Sequence, residues 1–101
     1  MLQNSSSCLI EIFLEVAKID ALSGNEKPLA DFIKSFLVNY NYNVKEDNAA
    51  KFTNSNTGNL ICKIGNGGDF VLLSHMDTAR PTENVRPIIL EDKIISSGDT
   101  V

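Results

Sequence analysis

The sequence is poor in the features that staple, thread or coat a chain. Its two cysteines, Cys8 and Cys62, have no CxxC spacing and are too few for a disulfide framework. They read as two reduced, part-buried thiols of a cytoplasmic protein, Cys8 on a helix and Cys62 on a strand. No apolar run approaches the roughly 20 residues that cross a bilayer, which excludes a transmembrane role for this stretch. Met1–Ser7 carries no Lys or Arg, and the apolar segment after it is interrupted by Glu11 and Glu15, so it does not read as a secretory leader. The nine Lys and Arg form no basic block, and the net charge is −4. A nucleic-acid partner therefore has no electrostatic footprint to follow, and no membrane partner is expected either. There are no internal repeats, no low-complexity tail, and a single histidine, His75.

What is present fits a soluble globular chain: 101 residues, 43% hydrophobic and 22% charged. That length holds one small domain at most, or a piece of a larger one. Residues 8–19 carry Leu9, Ile10, Phe13, Leu14, Val16 and Ala17 at helical spacing, opposite Glu11, Glu15 and Lys18. Ser5, Ser6 and Ser7 are available to cap this first helix. Ser23 and Glu26 have capping-box spacing ahead of a second helix. Pro28 stands in its first turn, and Leu29, Phe32, Ile33, Phe36 and Leu37 form its stripe. This helix is expected to end near Asn39, because Asn41 and Asn43 form turns. The apolar stripes of both helices are expected to cover one face of a sheet.

Strand signals follow. Val44–Glu46 reads as a short strand, Asn48 to Asn56 as a polar loop, and Asn59–Ile64 as a strand closed by the turn at Gly65–Gly68. Residues 69–74, Asp-Phe-Val-Leu-Leu-Ser, are a nearly continuous apolar run, the pattern of a central strand buried on both faces. His75 to Arg86 is a loop. Ile88-Ile89-Leu90 and Lys93-Ile94-Ile95 flank Glu91-Asp92 as a hairpin with a two-residue turn. Two helices followed by strands predict an α/β or α+β layer arrangement. The last residues, Ser97-Gly98-Asp99-Thr100-Val101, offer nothing to close a sheet, which reads as an incomplete domain with an unpaired edge.

The chemistry concentrates in Ser74-His75-Met76-Asp77-Thr78. His75 falls just past the C-terminal end of the apolar run, where open α/β sheets bind their ligands. A metal-bound imidazole commonly gives its second N–H to a carboxylate or carbonyl. His75 is thus a candidate metal ligand, and Asp77, two residues on, a candidate for orienting it. Asp99 is a further carboxylate that could sit nearby. Arg80 is a candidate for a substrate carboxylate, because guanidinium binds carboxylate in a bidentate fashion. Against this stands a plain alternative, a solvated Arg80 and a structural His75. One histidine cannot supply the three or so protein ligands of a catalytic zinc.

The segment Val71-Leu72-Leu73-Ser74-His75-Met76-Asp77-Thr78, then Pro87, then Ile94-Ile95-Ser96-Ser97-Gly98-Asp99-Thr100-Val101, resembles the N-terminal part of the co-catalytic zinc exopeptidases. These are the peptidase T, aminoacylase and acetylornithine deacetylase relatives. Leu22-Ser23-Gly24-Asn25-Glu26, Thr57-Gly58-Asn59-Leu60 and the glycine turn at 65–68 match as well, above all to the peptidase T-like branch. The resemblance implies an α/β catalytic domain of the phosphorylase/hydrolase-like kind, with residues 1–101 as its incomplete N-terminal part, two helices and then strands of a mixed sheet. It implies His75 as a zinc ligand and Asp77 as the catalytic-site carboxylate that orients it. Asp99 matches no ligand. The bridging aspartate, the Glu-Glu pair, the later aspartate ligand and the last histidine are expected beyond Val101, so the chain alone should not catalyse. The complete protein is expected to be a cytoplasmic hydrolase with two zinc ions, or cobalt or manganese. It would act on a small peptide or an N-acyl amino acid, with a lid domain that often dimerises. The competing reading is a small non-catalytic α/β binding module with a structural His75.

Overall fold

A computed structural model describes residues 5–82 and 85–97, with side chains from Cys8 onward. Helix α1 runs Ser5–Ala17 and α2 runs Lys27–Asn39. Strand β1 (Val44–Glu46) is followed by a one-turn helix α3 (Ala50–Thr53), then β2 (Leu60–Cys62). After a long irregular stretch come β3 (Pro87–Ile89) and β4 (Ile94–Ser96). Helices and two small antiparallel sheets make this a small α/β unit. Gly98, Asp99, Thr100 and Val101 lie outside the described residues, and with them the expectation for Asp99.

β1 pairs with β2 in the register Val44↔Cys62, Lys45↔Ile61, Glu46↔Leu60. β3 pairs with β4 as the expected hairpin, Ile89 opposite Ile94, and the Leu90 amide donates to the Lys93 carbonyl across the Glu91-Asp92 turn. The two ladders are separate two-stranded sheets. The mixed sheet expected from the resemblance is therefore not formed among the described residues.

Residues 69–74 show the largest departure from the sequence reading. They form no strand, and Phe70, Val71, Leu72 and Leu73 are 92%, 81%, 96% and 90% exposed. Hydrophobicity marks what a segment is built to bury. A strand also needs ladder partners on its flanks, and among the described residues this run has none. The turn at Gly65–Gly68 does bend the chain, with Gly65 and Gly67 at φ +80° and +122°, a region that side chains strain.

The helices also differ in detail from their sequence signals. α1 already includes Ser5–Ser7 in its first turn, so the serines lie within the helix rather than ahead of it. Its stripe is largely uncovered, with Leu9, Ile10 and Phe13 exposed, and the helix that packs on a sheet is α2, against β1. Leu29 and Ala30 of α2 are buried, and Phe36 contacts Phe32 and Tyr40. α2 ends at Asn39 as expected. The Tyr40 amide donates to the Leu37 carbonyl and the Asn41 amide to the Val38 carbonyl, and Asn41 takes φ +66°, the left-handed turn that asparagine tolerates.

The Ser23–Glu26 capping box does not form. Glu26 occupies the cap position with helical angles and makes no side-chain cap bond. The loop Asn54–Thr57 performs the capping from across the chain. The Lys27 amide donates to Asn56 Oδ1 at 2.9 Å, and Ser55 Oγ donates to Glu26 Oε1 at 2.5 Å. A partner 29 residues away satisfies the free amide as well as a local one does.

The 48–56 segment was expected to be irregular but holds α3. Asp47 Oδ1 accepts from the Ala49 amide at 3.0 Å, which starts the turn, and Asn54 at φ +60° ends it. Asp47 also accepts from the Asn59 backbone amide (2.8 Å) and from Asn59 Nδ2 (2.9 Å), bonds that hold its carboxyl below its ordinary range. The chain passes so close at Gly58 that a Cβ there would strike the Asp47 carbonyl and carboxylate.

Candidate metal centre

An open groove of about 860 Å³ separates β2 from the irregular segment that carries the histidine. One wall is Leu60, Ile61 and Cys62 of β2. Leu72 through Asp77 and, from α2, Ile33 and Leu37 also line the groove. Glu26, Ser55 and Thr57 give the groove a polar end.

His75 is 85% exposed by side chain and Asp77 40%. His75 Nδ1 lies 2.9 Å from the Asp77 carbonyl oxygen and 3.2 Å from Asp77 Oδ1. Both neighbours accept and neither donates, so Nδ1 must carry the proton. The neutral ring then keeps its lone pair on Nε2. That is the tautomer a metal ligand needs, with a backbone carbonyl and a carboxylate behind the ring.

The backbone on either side of this pair is tied to the link between α1 and α2. The Thr78 amide donates to the Ala21 carbonyl at 2.8 Å, and the Ser23 amide donates to the Thr78 carbonyl at 3.0 Å. This is a parallel bridge of Leu22 with Thr78. Further on, Thr82 is buried against the same link. The Leu22–Glu26 signature and the His75–Thr78 motif, far apart in sequence, are hydrogen-bonded neighbours.

Glu26 is a groove residue that the capping-box reading assigned to another task. Burial pushes its carboxyl up, as does the negative charge of Asp77, but the Ser55 hydroxyl and backbone amides outweigh both and leave it below its ordinary value. Arg80 is exposed, two residues past Thr78, whose Oγ1 donates to the Arg80 carbonyl at 2.6 Å. Met76 is half-buried in the loop between His75 and Asp77.

The donor set is partial. His75 presents one nitrogen, and among the described residues no group of three or more His, Cys, Asp and Glu side chains is placed to hold a metal ion. The geometry fits one ligand and its orienting carboxylate, and does not make a complete zinc site. No helix among the described residues is long and apolar enough to cross a membrane.

No family model matches the chain. It is 30% identical over 96 residues to the uncharacterized protein YqjE of Bacillus subtilis, covering 92% of this chain and 26% of that protein. It superposes on a crystal structure of a tripeptidase from Staphylococcus aureus with a TM-score of 0.77 and 37% identity, covering 92% of this chain and 26% of the other. The chain thus spans about a quarter of the length of the relatives it matches. Over that quarter its likeness to a peptidase holds in both fold and sequence.

Proposed function

We propose that this chain is the first metal-ligand segment of a zinc-dependent exopeptidase that cleaves small peptides or N-acyl amino acids, as a peptidase T-like tripeptidase does. The observation that carries the reading is the His75–Asp77 pair. An exposed imidazole is held at Nδ1 by a carbonyl at 2.9 Å and a carboxylate at 3.2 Å, so Nε2 is free to ligate. The likeness to a tripeptidase over nearly the whole chain supports it. In this reading His75 holds the metal and Asp77 fixes the ring's tautomer and direction. When bound, zinc (or cobalt or manganese) supplies Lewis-acid polarisation of a scissile carbonyl and an activated water. The groove beside β2 receives the substrate, and Arg80 meets its carboxylate. The remaining ligands and the general base come from outside the described residues, two ions completing the site. The complete protein is cytoplasmic and homodimeric.

Zinc uptake, followed by equilibrium dialysis, and tripeptide hydrolysis by the natural protein that carries this segment test the proposal. His75→Ala is expected to remove one zinc equivalent and abolish hydrolysis. Asp77→Asn should weaken metal retention by roughly 10- to 100-fold, as loss of an orienting partner does. Wild-type hydrolysis by His75→Ala would reduce His75 to a structural residue.

A further inference from the structure

The loop that carries His75 is anchored at a place the motif does not include. Thr82 is 2% exposed, the largest fully buried side chain among the described residues. Its Oγ1 accepts from the Ala21 amide at 3.3 Å and lies 3.1 Å from the Ile19 carbonyl and 3.2 Å from Asp20 Oδ1. A hydroxyl has one proton, so it donates to one of those two oxygens while its lone pair takes the amide. The Thr82 backbone amide donates to Asp20 Oδ1 at 2.7 Å, a short bond of the charge-assisted kind. Asp20 is half-buried.

Four residues earlier, Thr78 is held to the same link by its two backbone bonds to Ala21 and Ser23. Residues 78–82 are therefore clamped at both ends, with Ala79, Arg80 and Pro81 bulging between. Asp77 immediately precedes the first clamp. Its carbonyl, whose direction the Thr78 peptide plane sets, is the group nearest to His75 Nδ1.

We propose that Asp20 and Thr82 form a pin that positions the His75–Asp77 pair. They hold the Thr78–Thr82 loop on the α1–α2 link and thereby aim the Asp77 carbonyl and carboxylate at Nδ1. Both are positioning residues. The imidazole's hydrogen-bond partners are the Asp77 oxygens, so Asp20 and Thr82 act on it through the chain. Thr82 Oγ1 fixes where the chain runs, and Asp77 transmits that placement to the ring. The consequence for metal affinity rests on the zinc reading above, whereas the consequence for the imidazole tautomer does not.

His75 is the single histidine of these 101 residues, and in the natural protein that carries them its two ring ¹⁵N signals are identified as those lost in His75→Ala. Those signals report directly which nitrogen is protonated in the neutral ring. In the wild type the Nδ1–H form is expected to dominate. Thr82→Val keeps the shape and removes the hydroxyl. It should shift the neutral ring toward a mixture of tautomers while leaving the β1–β2 amide fingerprint in place, and Thr82→Ser should restore the wild-type ratio. Asp20→Ala should act like Thr82→Val, and gives the reading if the valine variant loses that fingerprint. Zinc titration of the same samples should show at least a roughly 10-fold weaker midpoint for Thr82→Val and Asp20→Ala, the size of effect expected when a ligand's orientation is lost. An unchanged tautomer ratio in both variants, or serine behaving like valine, would overturn the pin. If the wild type takes up no zinc but the tautomer still follows Thr82, the pin stands and the metal reading falls.

Discussion

Glu46 offers a direct measure of what holds the β1–β2 wall of the groove. Its Oε1 accepts from Lys34 Nζ at 2.8 Å, and its Oε2 from the Gly58 amide at 3.0 Å. The Lys34 bond and then the Gly58 bond bring its carboxyl down from 4.5 to about 2. Taken whole, that displacement corresponds to roughly 3 kcal/mol. The two side chains are 31% and 32% exposed, however, and pairs so open to water contribute about 1 kcal/mol or less. One backbone hydrogen bond adds about 1 kcal/mol, so a total of about 1–2 kcal/mol is expected. A carboxyl whose folded value is depressed stabilises fully above its unfolded value. That contribution fades as pH falls from about 4.5 to about 2. Glu46→Gln keeps an acceptor and removes the charge. Urea unfolding followed by circular dichroism should show about 1–2 kcal/mol lost at pH 7. The gap between the proteins should shrink steadily below pH 4.5 and nearly close at pH 2. A gap that stays constant from pH 7 to pH 2 would refute the assignment, because the loss would then have nothing to do with the carboxylate's charge.

Three other perturbations read the rest of the architecture. Gly58→Ala drives a methyl into the Asp47 carbonyl and carboxylate, and should cost about 1–3 kcal/mol in urea unfolding, the range for overpacked sites. A change under about 0.5 kcal/mol would mean that the close approach is not maintained in solution. Asn56→Ala removes the acceptor of the Lys27 amide and should cost about 1 kcal/mol, with amide exchange accelerated at the start of α2 and unchanged in β3–β4. Leu72→Lys replaces a side chain that is 96% exposed. It should alter stability by no more than about 0.5 kcal/mol while lowering the binding of an apolar dye, and a loss of several kcal/mol would show that Leu72 is buried.

The elements legible in the sequence were those decided by neighbours close along the chain. The stripe Leu29–Leu37 and Pro28 placed α2. The pair Glu91-Asp92 between isoleucines placed the β3–β4 hairpin, and Asn41 marked the end of α2 by tolerating a left-handed angle. What could not be read was decided at long range. The Ser23–Glu26 spacing suggested a local cap, but Asn56 and Ser55 satisfy those groups across the chain, and no pattern within one turn reveals such a partner. Asp47 starts a helix turn in a stretch whose composition reads as loop. The run 69–74 announced burial, and its composition says nothing of whether partner strands stand beside it. In the candidate site the His-x-Asp spacing pointed to the pair that the fold brings within 3.2 Å. Thr82 gave no signal, because a buried threonine looks like any other until its partners are known.

The placement of these fixed points bears on how the site is built. Among the described residues, the segment leading into His75 is apolar, exposed and joins no ladder, and the bonds that hold the histidine come from the other side. It is held from behind. Thr78 and Thr82 are bonded to the α1–α2 link, Asp77 precedes them, and the ring bonds back to Asp77. The loop is fixed to a short segment beside α2, which also carries Glu26 into the groove. Orientation of the imidazole is therefore a property of the contact between residues 19–26 and 75–82. A catalytic zinc needs about three protein ligands; on the zinc reading proposed above, His75 would be one of them, its ring already aimed by Asp77. On that reading the tautomer of the first ligand would be settled before the metal arrived, so that ordering cost would not weigh on metal binding.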